Sequence, residues 1–347
     1  MRAYDFPLFP EQASTMAPQV DYLYFFLIAI SVVFSIAIAG ALIGFAVKFR
    51  RTPENQVGHR IHGSTVLEVA WSIIPFGITM VIFGWGAWLF VAQSRPPDNA
   101  HEVFVVGKQW MWKLQHMEGR REINELHVPV GQAVKLTMTS EDVIHAFYVP
   151  AFRTKFDVLP GRYTTAWFNA TKPGEYHLFC AEYCGTQHSG MIGKIVVMEP
   201  AAFQAWLSET PPILPMSGPV ASAAAGDAGS LSPVAAGEAL FAQKACITCH
   251  QPQGGALGPS LVGVYGSTVK LADGSTVTAD DAYVRDSILN PTGKIVAGFQ
   301  PVMPTFQGQL TEEQLMQLIQ YIKSLKATPP AGAGVAQNPP AAADSAS

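Results

Sequence analysis

Charge is scarce in this sequence. Aspartate, glutamate, lysine and arginine make up only 14% of its 347 residues, and the net charge is −4. So weak a balance excludes a basic nucleic-acid binder and gives no handle for an anionic membrane surface. Cysteine is scarce too, with four residues: Cys180, Cys184, Cys246 and Cys249. They form two close pairs, Cys-x3-Cys and Cys-x2-Cys, far apart in the chain. That spacing argues against a disulfide framework and reads as two separate sites. What is plentiful is apolar: 49% of residues are hydrophobic and the mean hydropathy is +0.19, which implies some membrane-embedded chain. The length allows two domains and extra segments.

Two stretches carry no charge at all, Tyr22 to Val47 and Val69 to Ala92. As helices rising ~1.5 Å per residue, both exceed the ~30 Å hydrocarbon core of a bilayer. Pro75, near the start of the second, predicts a kink. Trp85 and Trp88, near its far end, suit a membrane interface. The first run is too long for a cleaved signal and has Asp21 in front of it. The loop between the runs holds Lys48, Arg50, Arg51 and Arg60, against Arg2 and Arg95 on the opposite flanks. The positive-inside rule therefore predicts a cytoplasmic loop, with both termini and everything after about Gln93 outside. That compartment is oxidising, so an unprotected thiol pair there becomes a disulfide.

From His101 to about Glu199, short alternating runs take over. EVFVVG, QWMWKLQHM, AVKLTMTS, YTTAWFNA, GEYHLFC and GMIGKIVVME read as strands, separated by turns such as PVGQ, LPGR and TKPGE. They predict an antiparallel β-sandwich. Within it lies CAEYCGTQHSGM, Cys180 to Met191. Three readings are open. A disulfide uses the cysteines and leaves His188 and Met191 idle. Zinc takes thiolate and imidazole, but thioether is not a usual zinc ligand. Copper takes all three donor types. A further ligand would come from elsewhere in the sandwich, and His145, in the strand-like run DVIHAFYVP, is the candidate.

These pieces, together with EVAWSIIP, GKQWMWKLQH and KFDVLPGR, resemble subunit II of cytochrome c oxidase over Glu68 to Met191. The resemblance implies a cupredoxin-like sandwich carrying the binuclear copper centre CuA. The implied side-chain ligands are His145, Cys180, Cys184, His188 and Met191, with the backbone carbonyl of Glu182. Trp110 is implied as the aromatic through which electrons enter, beside Met111 where the family usually has tyrosine. The Glu182 carboxylate would help hold a magnesium or manganese ion shared with subunit I. Asp157 and Arg162 would lie at the interface with that subunit, and Glu68 at the mouth of a proton path. Without the resemblance, Trp110 reads as a core tryptophan, Asp157 and Arg162 as a turn salt bridge, and Glu68 as an ordinary headgroup-level charge. The remaining histidines, including His59, His62, His101, His116, His127 and His177, match no motif and read as surface or structural.

After a helix-like piece, PAAFQAWLSET, comes a linker rich in Pro, Ala, Ser and Gly. Then Cys246, Cys249 and His250 form Cys-x2-Cys-His, which reads as covalent attachment of a c-type haem with His250 as proximal ligand. An amphipathic run precedes the motif. A second, TEEQLMQLIQYIKSL, opens on a capping box from Thr311 to Gln314 and has an apolar face of Leu315, Leu318, Ile319, Ile322 and Leu325. No histidine follows His250, so the sixth ligand should be Met303 or Met316. Met316 falls inside the closing helix, where packing is the ordinary role. Met303, in PVMPTF, resembles the distal strand of class I cytochromes c and is the choice. Pro259 resembles the proline whose carbonyl orients the proximal histidine.

The chain, apart from linker and tail, thus resembles an oxidase subunit II fused to its own cytochrome c. The expected organisation is multidomain: a segment and two-helix transmembrane hairpin over 1–98, a cupredoxin-like domain over 99–200, a short helix and flexible linker over 201–232, an all-α class I cytochrome c domain over 233–327, and a disordered tail over 328–347. The implied function carries electrons from an external cytochrome c or respiratory complex, through the covalent haem c and CuA, to haem a of subunit I, with oxygen reduction there coupled to proton pumping. Implied partners are subunit I, subunit III, the donor and membrane lipid, with no nucleic acid. The implied location is a bacterial inner membrane, with both redox domains on the periplasmic side. A rival reading is a periplasmic copper-binding or copper-delivery protein, which needs neither the haem nor Trp110. Another, nitrous oxide reductase, has a similar copper loop but no such hairpin, and carries a propeller domain absent here.

Overall fold

The computed structural model describes residues 9–53, 62–209, 231–255 and 257–325. Arg2, His59, Arg60, the linker from 210 to 230 and the expected tail lie outside the described residues. The chain divides into two compact units, the first Met1–Pro233 with Thr311–Met316 and the second Val234–Leu310 with Gln317–Ser347.

The first unit opens with two helices long and apolar enough to cross a membrane, α1 (Ala17–Lys48) and α2 (Thr65–Ser94). Both outrun the charge-free stretches because the helices absorb Asp21 and Glu68 near their N-terminal ends. The Ser64 side chain caps α2 by accepting the Leu67 N–H at 3.4 Å. Pro75 lies inside α2, which continues through it as one helix. Phe26 and Trp85 meet between α1 and α2, their ring centroids 5.6 Å apart.

Ten strands follow in two five-stranded sheets. The first sheet has the order β3 (Arg121–Ile123), β2 (Met111–His116), β1 (His101–Lys108), β5 (Ala133–Ser140), β8 (Thr164–Asn169). The second has the order β4 (Glu125–Pro129), β10 (Ile192–Met198), β9 (Gly174–Cys180), β6 (His145–Val149), β7 (Thr154–Val158). Alternate residues face inward, so Val105, Trp112, Leu136, Phe147, Leu178 and Ile195 are buried in one core. Two pairings are parallel, β1 with β5 and β4 with β10, where the sequence suggested antiparallel ones throughout. The cause is strand switching: the chain leaves the first sheet after β3, builds β4 on the second, and returns for β5 from the same end as β1. Asn124 makes the switch at φ 58, a left-handed conformation that asparagine tolerates. Its side-chain oxygen accepts the Trp112 N–H at 2.8 Å. Strands β3, β4 and β7 escape the sequence pattern because they are short and carry charged or histidine residues.

One ion pair ties α1 to the sandwich. Asp21 is buried and gripped by Arg153, which follows β6: Nε to Oδ1 is 2.8 Å and Nη2 to Oδ2 is 2.9 Å. The other guanidinium N–H groups donate to the carbonyls of Pro10, Glu11 and Pro150. The two side chains are 9% and 4% exposed, for Arg153 and Asp21 respectively. Breaking a buried pair by removing one partner costs about 3–5 kcal/mol. Arg153→Ala is therefore expected to destabilise the detergent-solubilised subunit by that amount in a denaturant titration. An unchanged midpoint would mean that water solvates Asp21.

The short helix α3 (Pro200–Ser208) sits on histidines. Phe203 meets His101 edge-on at 5.5 Å, and Trp206 stacks on His127 at 4.4 Å. Beneath, His101 Nε2 faces His116 Nδ1 at 3.0 Å, and His116 Nε2 faces Glu122 Oε1 at 2.9 Å. Arg120 lies over the Trp206 ring and donates to the Trp206 carbonyl. Burial holds His101 below its ordinary 6.5, with His116 adding to the effect and Glu118 opposing it. Burial alone would raise Glu122, but hydrogen bonds from His116 and His127 hold it below the ordinary carboxylate value. Both groups bind fewer protons folded than unfolded, so their contribution is lost as pH falls. Exchange of the α3 amides is expected to accelerate below pH 6.5, where His101 begins to charge when released. Unchanged exchange down to about pH 5 would uncouple the histidines from α3.

The second unit is mainly helical: α4 (Pro233–Gln243), α5 (Asp281–Leu289) and the greater part of α6 (Glu312–Ser324). The capping box at α6 is reciprocal, with Thr311 N donating to Gln314 Oε1 at 3.0 Å and Gln314 N to Thr311 Oγ1 at 3.2 Å. Helices α4 and α6 touch backbone to backbone at Gly237, where a Cβ would stand 2.0 Å from the Gln317 carbonyl oxygen. A small hairpin interrupts the all-α pattern, β11 (Thr268–Lys270) with β12 (Thr276–Thr278). Its turn centres on Asp273 and Gly274, the latter at φ 87, a hairpin signal that the helical reading passed over.

Candidate metal centre and haem pocket

Strand β9 ends at Cys180, and the chain loops through Cys184 and His188 before Met191 leads into β10. His145 opens β6, the neighbour of β9, and the register sets Phe147 opposite Cys180. The ring of His145 therefore lies beside the loop. Its Nδ1 is 3.8 Å from Cys180 Sγ. Cys184 Sγ stands 3.8 Å from Cys180 Sγ, 3.4 Å from His188 Nδ1 and 3.8 Å from Met191 Sδ. The Glu182 carbonyl oxygen is 3.3 Å from Cys180 Sγ. His145 and Met191 are wholly buried and the two cysteines nearly so.

No disulfide joins the cysteines. At 3.8 Å the sulphurs are far beyond the ~2.05 Å of an S–S bond. Two thiolates on one tetrahedral metal, each about 2.3 Å away, stand about 3.8 Å apart. Protonation tells the same story. Burial raises the Cys180 thiol, but hydrogen bonds from His145 and the backbone outweigh it and draw the value down. Burial and the charge of Cys180 push Cys184 up. Side by side, the two cannot both ionise unless a cation neutralises them. The donor set therefore fits a metal, and the buried thioether favours copper over zinc.

In the second unit, a cavity of about 830 Å³ is lined by Cys246, Cys249 and His250, by Pro259, and by Met303. Most of its other lining is apolar. Lys244, Lys270 and Lys294 are its charged residues, with no carboxylate among the described lining residues. His250 Nδ1 is 3.0 Å from the Pro259 carbonyl oxygen, so it carries the proton and leaves Nε2 free to bind iron. Both cysteines are free thiols. Met316 is buried elsewhere and does not line the cavity. An apolar cavity with a thiol pair and an oriented imidazole fits a covalent haem.

Comparison with known proteins agrees with these geometries. Residues 3–84 match the family described as cytochrome c oxidase subunit II, transmembrane domain, and 120–199 match its periplasmic domain. Residues 234–326 match cytochrome c. Cytochrome c oxidase subunit 2 of Thermostichus vulcanus is 30% identical, with 60% of this chain and 81% of that protein covered. The chain belongs to the cytochrome c oxidase subunit II family. Its counterpart in Alkalihalophilus pseudofirmus is 29% identical over 89% of each chain. The crystal structure of the periplasmic domain of subunit II from Bradyrhizobium japonicum is 32% identical, covering 33% of this chain and 94% of that one, at a TM-score of 0.32. Family membership carries an electron-transfer role in a haem-copper oxidase, with subunit I as partner and cytochrome c as donor. The two domain families imply copper CuA and haem as cofactors.

In this subunit II, Trp110 is half-buried rather than enclosed in the core. Its Nε1–H donates to the Cys184 carbonyl at 3.3 Å, alongside the Gln109 side-chain amide at 2.8 Å. Gly185 makes room for both: at φ 117 a Cβ there would stand 2.9 Å from Gln109 Nε2. Glu182 is exposed, as are Asp157 and Arg162. Asp157 and Arg162 form no salt bridge with each other. Glu68 lies in the first turn of α2, where the helix dipole favours an acid in any case. His101, His116 and His127 support α3 and stand apart from the copper loop. Sequence reasoning missed Asp142 and Gln109, which touch the candidate ligands His145 and Cys184. The Asp-x2-His spacing from Asp142 to His145 was the available signal.

Proposed function

We propose that this chain is the subunit through which electrons enter a proton-pumping haem-copper terminal oxidase. It would receive them from an external cytochrome c or respiratory complex onto its own haem c. It would then pass them by way of CuA to haem a in subunit I, where oxygen is reduced. The observation that carries this reading is the convergence of His145, Cys180, Cys184, His188 and Met191, with the Glu182 carbonyl, on one buried spot. Those groups would hold two copper ions, which would supply a one-electron carrier at this spot. Trp110, bonded through its indole N–H to the backbone of Cys184, gives a short route inward from the surface. In the second unit Cys246 and Cys249 would anchor the haem, His250 and Met303 would ligate its iron, and the thioether would raise its potential. The three lysines of the cavity suit the carboxylate edge of a haem.

Finer assignments belong to the same proposal. The Glu182 carboxylate would share a magnesium or manganese ion with subunit I, and Asp157 and Arg162 would meet that subunit. Glu68 would admit protons. Both redox domains would lie on the periplasmic side, and subunit III and lipid would complete the surroundings. The domain boundaries proposed are those expected above. One optical and paramagnetic-resonance study of the purified, metallated chain tests the core of it. A low-spin haem c together with mixed-valence copper is expected. Haem c without mixed-valence copper would remove the copper assignment, and copper without haem the tethered donor.

A further inference from the structure

The loop between β5 and β6 carries a carboxylate whose hydrogen bonds lead in two directions. Asp142 Oδ1 accepts the Val143 N–H at 2.6 Å and faces Ser140 Oγ at 3.3 Å and His145 Nε2 at 2.8 Å. Asp142 Oδ2 accepts the backbone N–H of Gln109 at 2.7 Å. Gln109 immediately precedes Trp110, and its side-chain amide donates to the Cys184 carbonyl at 2.8 Å. One carboxylate therefore joins the His145 ring to the turn that bears Trp110.

His145 has no exposure to water. Its ring is wedged between Gly107, where a Cβ would stand 2.9 Å from Cδ2, and Trp112, edge-on at 5.9 Å. Packing fixes the plane of the ring, but the tautomer needs a separate cause. An ionised carboxylate only accepts, so the proton must sit on Nε2, and Nδ1 turns a free lone pair towards Cys180. The other tautomer would put a proton on Nδ1, where a metal must bind. His188 is different: it is half-exposed, and beyond Cys184 its ring nitrogens have no hydrogen-bond partner among the described residues.

Resting on the copper reading above, we infer that Asp142 is a positioning residue for the metal centre. It holds His145 in its ligating tautomer, makes that imidazole the more electron-rich of the two, and keeps the Trp110 turn in register with it. A hydrogen bond from a ligating imidazole to an anion raises its basicity and stabilises the oxidised metal. Asp142 thereby keeps the copper potential lower than a neutral partner would.

The test uses the full chain, loaded with copper and haem. Asp142→Asn is nearly isosteric but neutral, and its single oxygen cannot accept from both His145 and Gln109. Its copper potential is expected to rise, shifting the one-electron equilibrium with the haem about tenfold towards reduced copper, or about 59 mV. Copper release to a chelator should quicken by roughly 10–100-fold. Asp142→Glu restores the anion and is expected to return the potential most of the way. Loss of copper by the asparagine variant but not the glutamate variant would equally support the inference. Loss by both, or two variants with the same potential, would overturn it. So would an asparagine variant with unchanged potential and resonance spectrum that altered only the KM for soluble cytochrome c, since Asp142 would then be a docking charge. Cys184→Ser, measured in parallel, separates the two levels: if it keeps the mixed-valence spectrum the copper reading itself fails, whereas if only Asp142→Asn is silent, the reading stands and this inference falls.

Discussion

A Cys184→Ser subunit is expected to lose the mixed-valence copper spectrum completely while retaining its haem c bands. Cys184 Sγ sits amid the other donors, within 3.8 Å of Cys180 Sγ, His188 Nδ1 and Met191 Sδ. A serine oxygen is a hard donor, protonated at neutral pH, and a poor substitute for a thiolate towards a soft metal. The loss should be all or none. Met191→Leu gives the contrast. That swap nearly conserves volume in a wholly buried site, so folding should suffer by less than about 1.5 kcal/mol. Copper should remain bound with a shifted potential, because the thioether is a weak ligand. A surviving wild-type spectrum in the serine variant would refute the ligand set, and copper-free Met191→Leu would show the thioether to be essential.

Met303→Ala should leave the haem attached but open its iron. On the proposed assignment, the attachment through Cys246 and Cys249 and the imidazole of His250, which the Pro259 carbonyl braces at 3.0 Å, would be untouched by the change. What would disappear is the proposed sixth ligand. Carbon monoxide should then bind the ferrous protein, and the potential should fall by a sizeable fraction of the ~0.8 V range that axial ligands span. Met316 provides the control, since it does not line the cavity. If Met316→Ala bound carbon monoxide and Met303→Ala did not, the distal assignment would be reversed.

What the sequence by itself determined is what lies close together in the chain. Two charge-free runs announce α1 and α2 because a helix long and apolar enough to span a bilayer needs no other element to define it. Most of the candidate copper site falls in a single loop, so Cys180, Cys184, His188 and Met191 could be read as a group. Cys246, Cys249, His250 and the Thr311–Gln314 capping box are local for the same reason. The tertiary structure alone decided which distant groups meet. The Phe147–Cys180 register carries His145 to the loop, and a strand offset of one residue would have turned its ring to the other face. Asp142, Gln109 and the carbonyl of Cys184 come together from three separate turns. Nothing in the sequence pairs Asp21 with Arg153, which the fold buries against it across 132 residues. The parallel pairings follow from the switch of sheets at Asn124, which no alternation of apolar residues reports. Periodicity records only which face of an element is buried; a hydrogen bond or ion pair between remote residues has no period, and appears only when the backbone has brought its ends together.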